Sequence, residues 1–162
     1  MAEIRLRDYE GADAEDLNRI AVAAFDQFRD HYGDWPAMLA GLSKTSALSV
    51  SGEVIVAELQ SEFAGAVAYF GPNSQKAEFF DQRWPIIRML VVDPALRGKG
   101  VGRALSEACI ARAKRDGSPI IALHTSPIMS VALPMYLKMG FVKAYDAPPI
   151  FGVAYAVYTK AL

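Results

Sequence analysis

The run Arg97, Gly98, Lys99, Gly100, Val101, Gly102 constrains this chain more than any other segment. It follows a nearly continuous apolar stretch, residues 86–92, interrupted by Arg88 and closed by Asp93 and Pro94. After it, Val101, Leu105, Ala108 and Cys109 repeat at helical spacing until Gly117, Ser118 and Pro119 stop the helix. Residues 119–125 then read as another strand. A strand, a crossover helix and a second strand make a parallel pair, because a connection of this length does not form a hairpin. A strand as apolar as 86–92 is expected to be buried on both faces. Glycines let the backbone turn sharply and leave N–H groups unobstructed at a helix N-terminus, where the dipole favours anions. A phosphate or pyrophosphate fits there. So, on these residues alone, does a glycine-rich turn carrying two solvated cations.

The rest of the chain supplies strands and helices around this unit. Ile4 and Leu6 belong to a short first strand, and Leu17, Ile20, Ala21, Ala24, Phe25 and Phe28 mark one face of an amphipathic helix with Asp13 as its cap. Trp35 and Pro36 start a second short helix, and residues 43–51 read as loop. Residues 54–58 and 64–70 form a hairpin about Gln60, Ser61 and Glu62. Ala132, Met135, Tyr136 and Met139 mark a last helix, capped by Ser130, with Pro134 in its first turn and Gly140 as a left-handed C-cap. Residues 141–145 and 152–159 are two closing strands, with a turn at Asp146, Ala147, Pro148 and Pro149. The fold class is α/β: a mixed sheet with helices on its faces.

Size and charge narrow the function classes. A chain of 162 residues fits one domain, 1–162, with its own core and no disulfide staples. With 17 Lys+Arg against 18 Asp+Glu there is no basic excess to expect of a nucleic-acid binder. No apolar run approaches bilayer length and the amino terminus lacks the core of a secretion signal, so the expectation is a complete, cytoplasmic chain that does not engage membranes. Cys109 is the single cysteine, which suits a reducing compartment. Its place on the small-residue helical face makes it a buried hydrophobe and a poor acyl-enzyme nucleophile.

Two phosphate loops fail on the same letters. A Walker loop needs Ser or Thr after its lysine, where Gly100 follows Lys99, and a dinucleotide fingerprint needs a third glycine where Arg103 stands. The surrounding residues do fit one family. Arg97, Gly100 and Gly102 match Arg/Gln-x-x-Gly-x-Gly/Ala; Leu90, Val92 and Pro94 match the preceding Leu-x-Val-x-Pro; Ala132, Tyr136, Gly140 and Phe141 match Ala-x-x-x-Tyr-x-x-x-Gly-Phe. In these ordered segments the chain resembles the GNAT family, the acetyl-coenzyme A-dependent N-acetyltransferases. The likeness is sharp over residues 86–141 and architectural before them.

That resemblance implies a mostly antiparallel mixed sheet with a central splayed parallel pair, and acetyl-coenzyme A as cosubstrate. Backbone groups of Leu90, Val91 and Val92 would pair with the pantetheine arm. The N–H groups of Gly98, Lys99, Gly100, Val101, Gly102 and Arg103 would hold the pyrophosphate, with the Arg97, Lys99 and Arg103 side chains either assisting or remaining solvated. The Val92 N–H would stabilise the developing oxyanion and Tyr136 would protonate the departing thiolate. Met129 stands where members often carry Asn, and Arg88 where many carry Glu, so the general base is unassigned. His124, at the C-terminal end of its strand, is the candidate, with Glu78, Asp81 and Asp146 as rivals. His31, Tyr32, Trp35, Tyr145 and Asp146 lie in regions that face the acceptor in such enzymes. The expected partner is a small-molecule or peptide amine; no metal is expected, and a homodimer is left open. The alternative function is a non-catalytic acyl-CoA-binding sensor or scaffold. A nucleotide hydrolase survives only if ATP is preferred to coenzyme A.

Overall fold

The computed structural model describes residues 3–162, in the order β1 (Ile4–Asp8), α1 (Ala14–Asp26), α2 (Trp35–Leu42), β2 (Glu53–Leu59), β3 (Glu62–Phe70), β4 (Ile86–Val92), α3 (Val101–Arg115), β5 (Ile120–Thr125), α4 (Ala132–Lys138), β6 (Val142–Ile150) and β7 (Val153–Ala161). The strands make one seven-stranded sheet ordered β1-β2-β3-β4-β5-β7-β6. Only β4 and β5 run parallel; the other neighbours are antiparallel. The period-two alternation of strands sorts side chains to two faces. Ile55, Ala57, Val67, Ile87, Ile121 and Leu123 pack beneath Leu105 and Cys109 of α3 and Tyr136 of α4. Val54, Val56, Ala66, Ala68, Val91 and Val157 pack beneath Leu17, Ile20 and Ala21 of α1 and Leu42 of α2. Helices therefore cover both faces of the mixed sheet.

Several local expectations are corrected. Asp13 has helical backbone angles and caps nothing in α1. Its carboxylate instead takes two bonds from the Arg7 guanidinium, both 2.8 Å, and the Glu10 N–H. Residues 43–51 are not simply loop, because Thr45–Val50 winds into 3-10 turns held by Asn18, which exchanges hydrogen bonds with Ser46. Ser130 does not cap α4, which starts at Ala132 without a side-chain cap. Pro134 lies in its first turn, where an N–H has no helical acceptor.

The turn expected at Asp146 to Pro149 lies elsewhere. Strand β6 continues through both prolines to Ile150, and the reversal falls at Phe151 and Gly152, φ 43° and 83°. Two positive φ values suit a tight hairpin turn. Prolines are tolerated in β6 because it is the edge strand and its register with β7 slips between Ala147 and Ile150. Strand β4 is not buried on both faces either. Ile86, Ile87 and Val91 are buried, but Met89, Leu90 and Val92 are half-buried and Arg88 is exposed.

Candidate active site

The site begins where the parallel pair comes apart. Between β4 and β5 the only register pair is Ile86 with Ala122, beside an N–H of Ala122 donated to the Pro85 carbonyl at 3.0 Å. On the other side of β4, Ala68 faces Arg88 but Ala66 faces Val91, so β4 carries an extra residue. The bulge centres on Met89, at φ 55°. A bulge bends its strand and sharpens its twist, which carries the rest of β4 away from β5.

This opening exposes backbone. Asp93 donates its N–H to the Ala64 carbonyl at 2.8 Å, and Val92 pairs with Gly65. In antiparallel alternation the N–H and carbonyl of Val92 then point away from β3, into the seam. Val91 has the opposite sense: its backbone faces β3 and its side chain is buried against the α1 and α2 core.

At one mouth of the seam lies a groove of about 300 Å³, lined by Leu90, Val92, Arg97, Gly98, Gly102 and Met135 among others. Gly100 is the N-cap of α3 at φ 86°, a conformation costly for any residue with a Cβ, and no side chain caps the helix. The first N–H groups of α3 are thus left for an anion. At Gly102 an added Cβ would lie 3.7 Å from Leu90, Val92 and Met135, so a larger side chain would fill the groove. Arg97 reaches the Ala24 carbonyl at 3.4 Å, Arg103 pairs with Glu107 at 2.9 Å, and Lys99 is exposed. Anion-ready N–H groups beside an apolar floor suit a phosphate with a long, weakly polar arm.

A second cavity, about 520 Å³, shares Phe25, Leu90, Met129 and Ala132 with the groove. His124 stands in it within an aromatic box: ring centroids are 5.1 Å to Phe79, 5.8 Å to Phe80 and 5.1 Å to Tyr155. Burial, helped by the nearby Arg88 charge, pushes its imidazole down to about 4. Tyr136 also lines this cavity, is 5% exposed and stacks edge-on to Phe141 at 5.7 Å. Burial and the adjacent Cys109 hold its phenol well above the usual tyrosine range against the opposing Ser106 hydroxyl, so it keeps its proton. Cys109 is fully buried, its thiol pushed up to about 12 by burial.

Among the described residues no carboxylate lines either cavity. Asp81 pairs with Arg83, Asp146 pairs with Lys143, and Glu78 is exposed outside both. His31 is exposed, and Trp35 stacks on Tyr32 and Arg29 outside the cavity. The Tyr32 hydroxyl meets that of Tyr155, which does line it. Sequence reasoning missed Phe25, Phe79, Phe80, Tyr155 and Ser106. Phe79 and Phe80 lie in a polar connection without periodicity, and Tyr155 reads as an ordinary strand residue.

Residues 14–141 match the model of the acetyltransferase (GNAT) family. The chain belongs to that family. GNAT members use acetyl-coenzyme A, and the groove at α3 and the open seam fit its pyrophosphate and its arm. The chain is 30% identical to mycothiol acetyltransferase of Nocardia farcinica over 156 residues, 94% of this chain and 48% of that one, so it spans about half the length of this curated relative. A GCN5-related N-acetyltransferase structure from Rhodopseudomonas palustris, described as a class-II aminotransferase, superposes with TM-score 0.79 at 26% identity, covering 100% of this chain and 98% of that one. The yncA protein of Salmonella typhimurium, solved with its cofactor acetyl-CoA, has TM-score 0.69 at 21% identity and 99% and 94% coverage, and shares the fold. No helix among the described residues is long and apolar enough to cross a membrane.

Proposed function

We propose that the chain transfers an acetyl group from acetyl-coenzyme A to a primary amine by direct attack in a ternary complex. The observation that carries this reading is the seam: one opening joins a phosphate-ready groove to a separate cavity holding a protonated phenol and a neutral imidazole. Acetyl-coenzyme A supplies the acyl group already activated as a thioester. The Val92 N–H, turned into the seam, supplies a preorganised dipole for charge on the acyl oxygen. Tyr136 retains its proton and is the donor for the leaving sulfur. His124 is neutral at neutral pH and takes the ammonium proton, directly or through a water, passing it on to solvent, while the second proton that the nitrogen loses as the thiolate leaves returns to the Tyr136 oxygen. Gly98, Lys99, Gly100, Val101, Gly102 and Arg103 offer their N–H groups to the pyrophosphate. A buried, fully protonated Cys109 supports direct transfer over an acyl-enzyme.

The lack of a carboxylate in either cavity among the described residues favours one other reading, a coenzyme A-binding sensor without turnover. Thiol release measured across a panel of amines separates the two. Acceptor-dependent release with matching N-acetylated product supports the enzyme; coenzyme A binding without release for any amine overturns it in favour of the sensor.

A further inference from the structure

The arginines of this chain divide cleanly. Arg5, Arg7, Arg19, Arg29, Arg83, Arg103, Arg112 and Arg115 each pair with a carboxylate. Arg88 and Arg97 have no carboxylate partner among the described residues, and each lines one cavity. Arg97 belongs to the phosphate groove. Arg88 belongs to the other cavity, where its guanidinium, among the described residues, has the Phe70 ring as its one specific contact, 5.8 Å from its Cζ.

Register explains the placement. Ile86 pairs with Ala122 across the parallel seam, so two residues further along Arg88 stands opposite His124, where the strands have begun to part. Lys76, the other cation of this cavity, is already tied to the Gly71, Ser74 and Gln82 carbonyls and the Ser74 hydroxyl at 2.8–3.1 Å. Arg88 is therefore a fork of unspent donors facing an apolar, aromatic space.

We infer that Arg88 selects an acceptor whose amine is accompanied by a carboxylate: a free amino acid with an apolar or aromatic side chain. This rests on the reading of the chain as an amine acetyltransferase. A planar guanidinium matches a carboxylate with two parallel hydrogen bonds. Phe25, Met38, Phe79, Phe80 and Tyr155 supply the apolar wall for the side chain. Polyamines and aminoglycosides are disfavoured, because among the described residues no carboxylate lines the cavity to hold their remaining charges and both resident cations repel them. A bound carboxylate also cancels the Arg88 charge that acts on His124, making that imidazole a better proton acceptor in the complex than in the free protein.

The test compares phenylalanine, methionine and leucine with their carboxamides and with spermidine, at saturating acetyl-coenzyme A. Expected is a kcat/KM for the acids about 10- to 200-fold above the amides, the range for a hydrogen-bonded charge, with spermidine lowest. Arg88→Gln should bring the acid-to-amide ratio close to one while leaving coenzyme A affinity intact, and Arg88→Lys should recover part of it. Equal use of acids and amides, or a ratio untouched by Arg88→Gln, overturns the inference while leaving amine transfer standing. If no amine turns over, the transfer reading falls and the pocket is still tested by calorimetry with coenzyme A present. Binding of N-acetylphenylalanine, lost in its carboxamide and in Arg88→Gln, upholds the anion site; no binding overturns it.

Discussion

The Tyr145 hydroxyl donates a hydrogen bond to the carbonyl of Phe79, tying edge strand β6 to the connection that crosses the second cavity. Phe79 in turn lies against His124, 5.1 Å between ring centroids. Tyr145→Phe removes only the tether and keeps the ring. The KM for the acceptor should rise about 3- to 10-fold, the loss of one hydrogen bond, with the Kd for coenzyme A unchanged. An unchanged KM would mean that the Phe79 and Phe80 connection holds its place without β6.

Gly102 controls the floor of the groove. A Cβ there makes ordinary contacts at 3.7 Å, so Gly102→Ala should fold and bind coenzyme A with modest loss, whereas Gly102→Leu should abolish the rise in Tm that coenzyme A otherwise produces by mass action. Calorimetry reads both. A Leu variant that binds like the wild type would move the cofactor out of this groove.

Tyr136→Phe deletes one oxygen from a residue that otherwise packs between α3 and Phe141. Loss of a positioned acid should lower kcat by about 10²–10⁴, with the coenzyme A Kd within about two-fold of wild type. The Ser106 hydroxyl already donates to the Gly102 carbonyl at 2.8 Å, so the variant strands no donor there. Single-turnover rates equal to wild type would reduce Tyr136 to a packing residue.

His124 makes stability depend on pH in a definite direction. The unfolded chain takes up this proton near 6.5, but the folded chain, with Phe79, Phe80 and Tyr155 around the ring and Arg88 nearby, takes it up only near 4. Between those values the unfolded state binds more protons, so stability falls as pH falls and the loss is complete near pH 4. It amounts to about 3 kcal/mol. Urea melts of His124→Gln should show a shallower decline over this window. For the same reason the free protein's kcat/KM should show no limb near 6.5. An identical decline in the variant, or a limb near 6.5 that His124→Gln removes, would mean the imidazole is better solvated than its aromatic surroundings imply.

What could be read from the sequence follows physical scale. Gly100 announces itself because its left-handed backbone favours glycine, Gly102 because its bare backbone leaves the groove floor open, and the strand, helix, strand spacing around them dictates a parallel pair. Gly140 at φ 99°, with the Phe141 N–H reaching back to the Tyr136 carbonyl at 3.1 Å, is legible for the same reason. Met89 is not. Methionine has no preference for φ 55°, and the bulge arises from registry against β3, a tertiary fact. The prolines of β6 mislead because Pro148 and Pro149 look like a turn until the strand is known to be an edge. Asp13 has the letter of a helix cap, yet Arg7, six residues upstream on β1, takes its carboxylate in both oxygens. The aromatic box comes from β5, β7 and the connection before β4, and no local pattern links those segments.

The single Ile86–Ala122 pairing leaves the sheet as two half-sheets, β1 to β4 and β5 to β7, stitched at one end. Mechanically this is a partly unzipped fabric, and on the proposed reading a cofactor arm lying between β4 and β5 would take the place of the missing rungs. The ligand would then be a structural member as well as a reactant. Amide hydrogens of Leu90 and Val92 should therefore exchange quickly while the seam stands open and slow when coenzyme A is added, and the two half-sheets should then open together in place of separately.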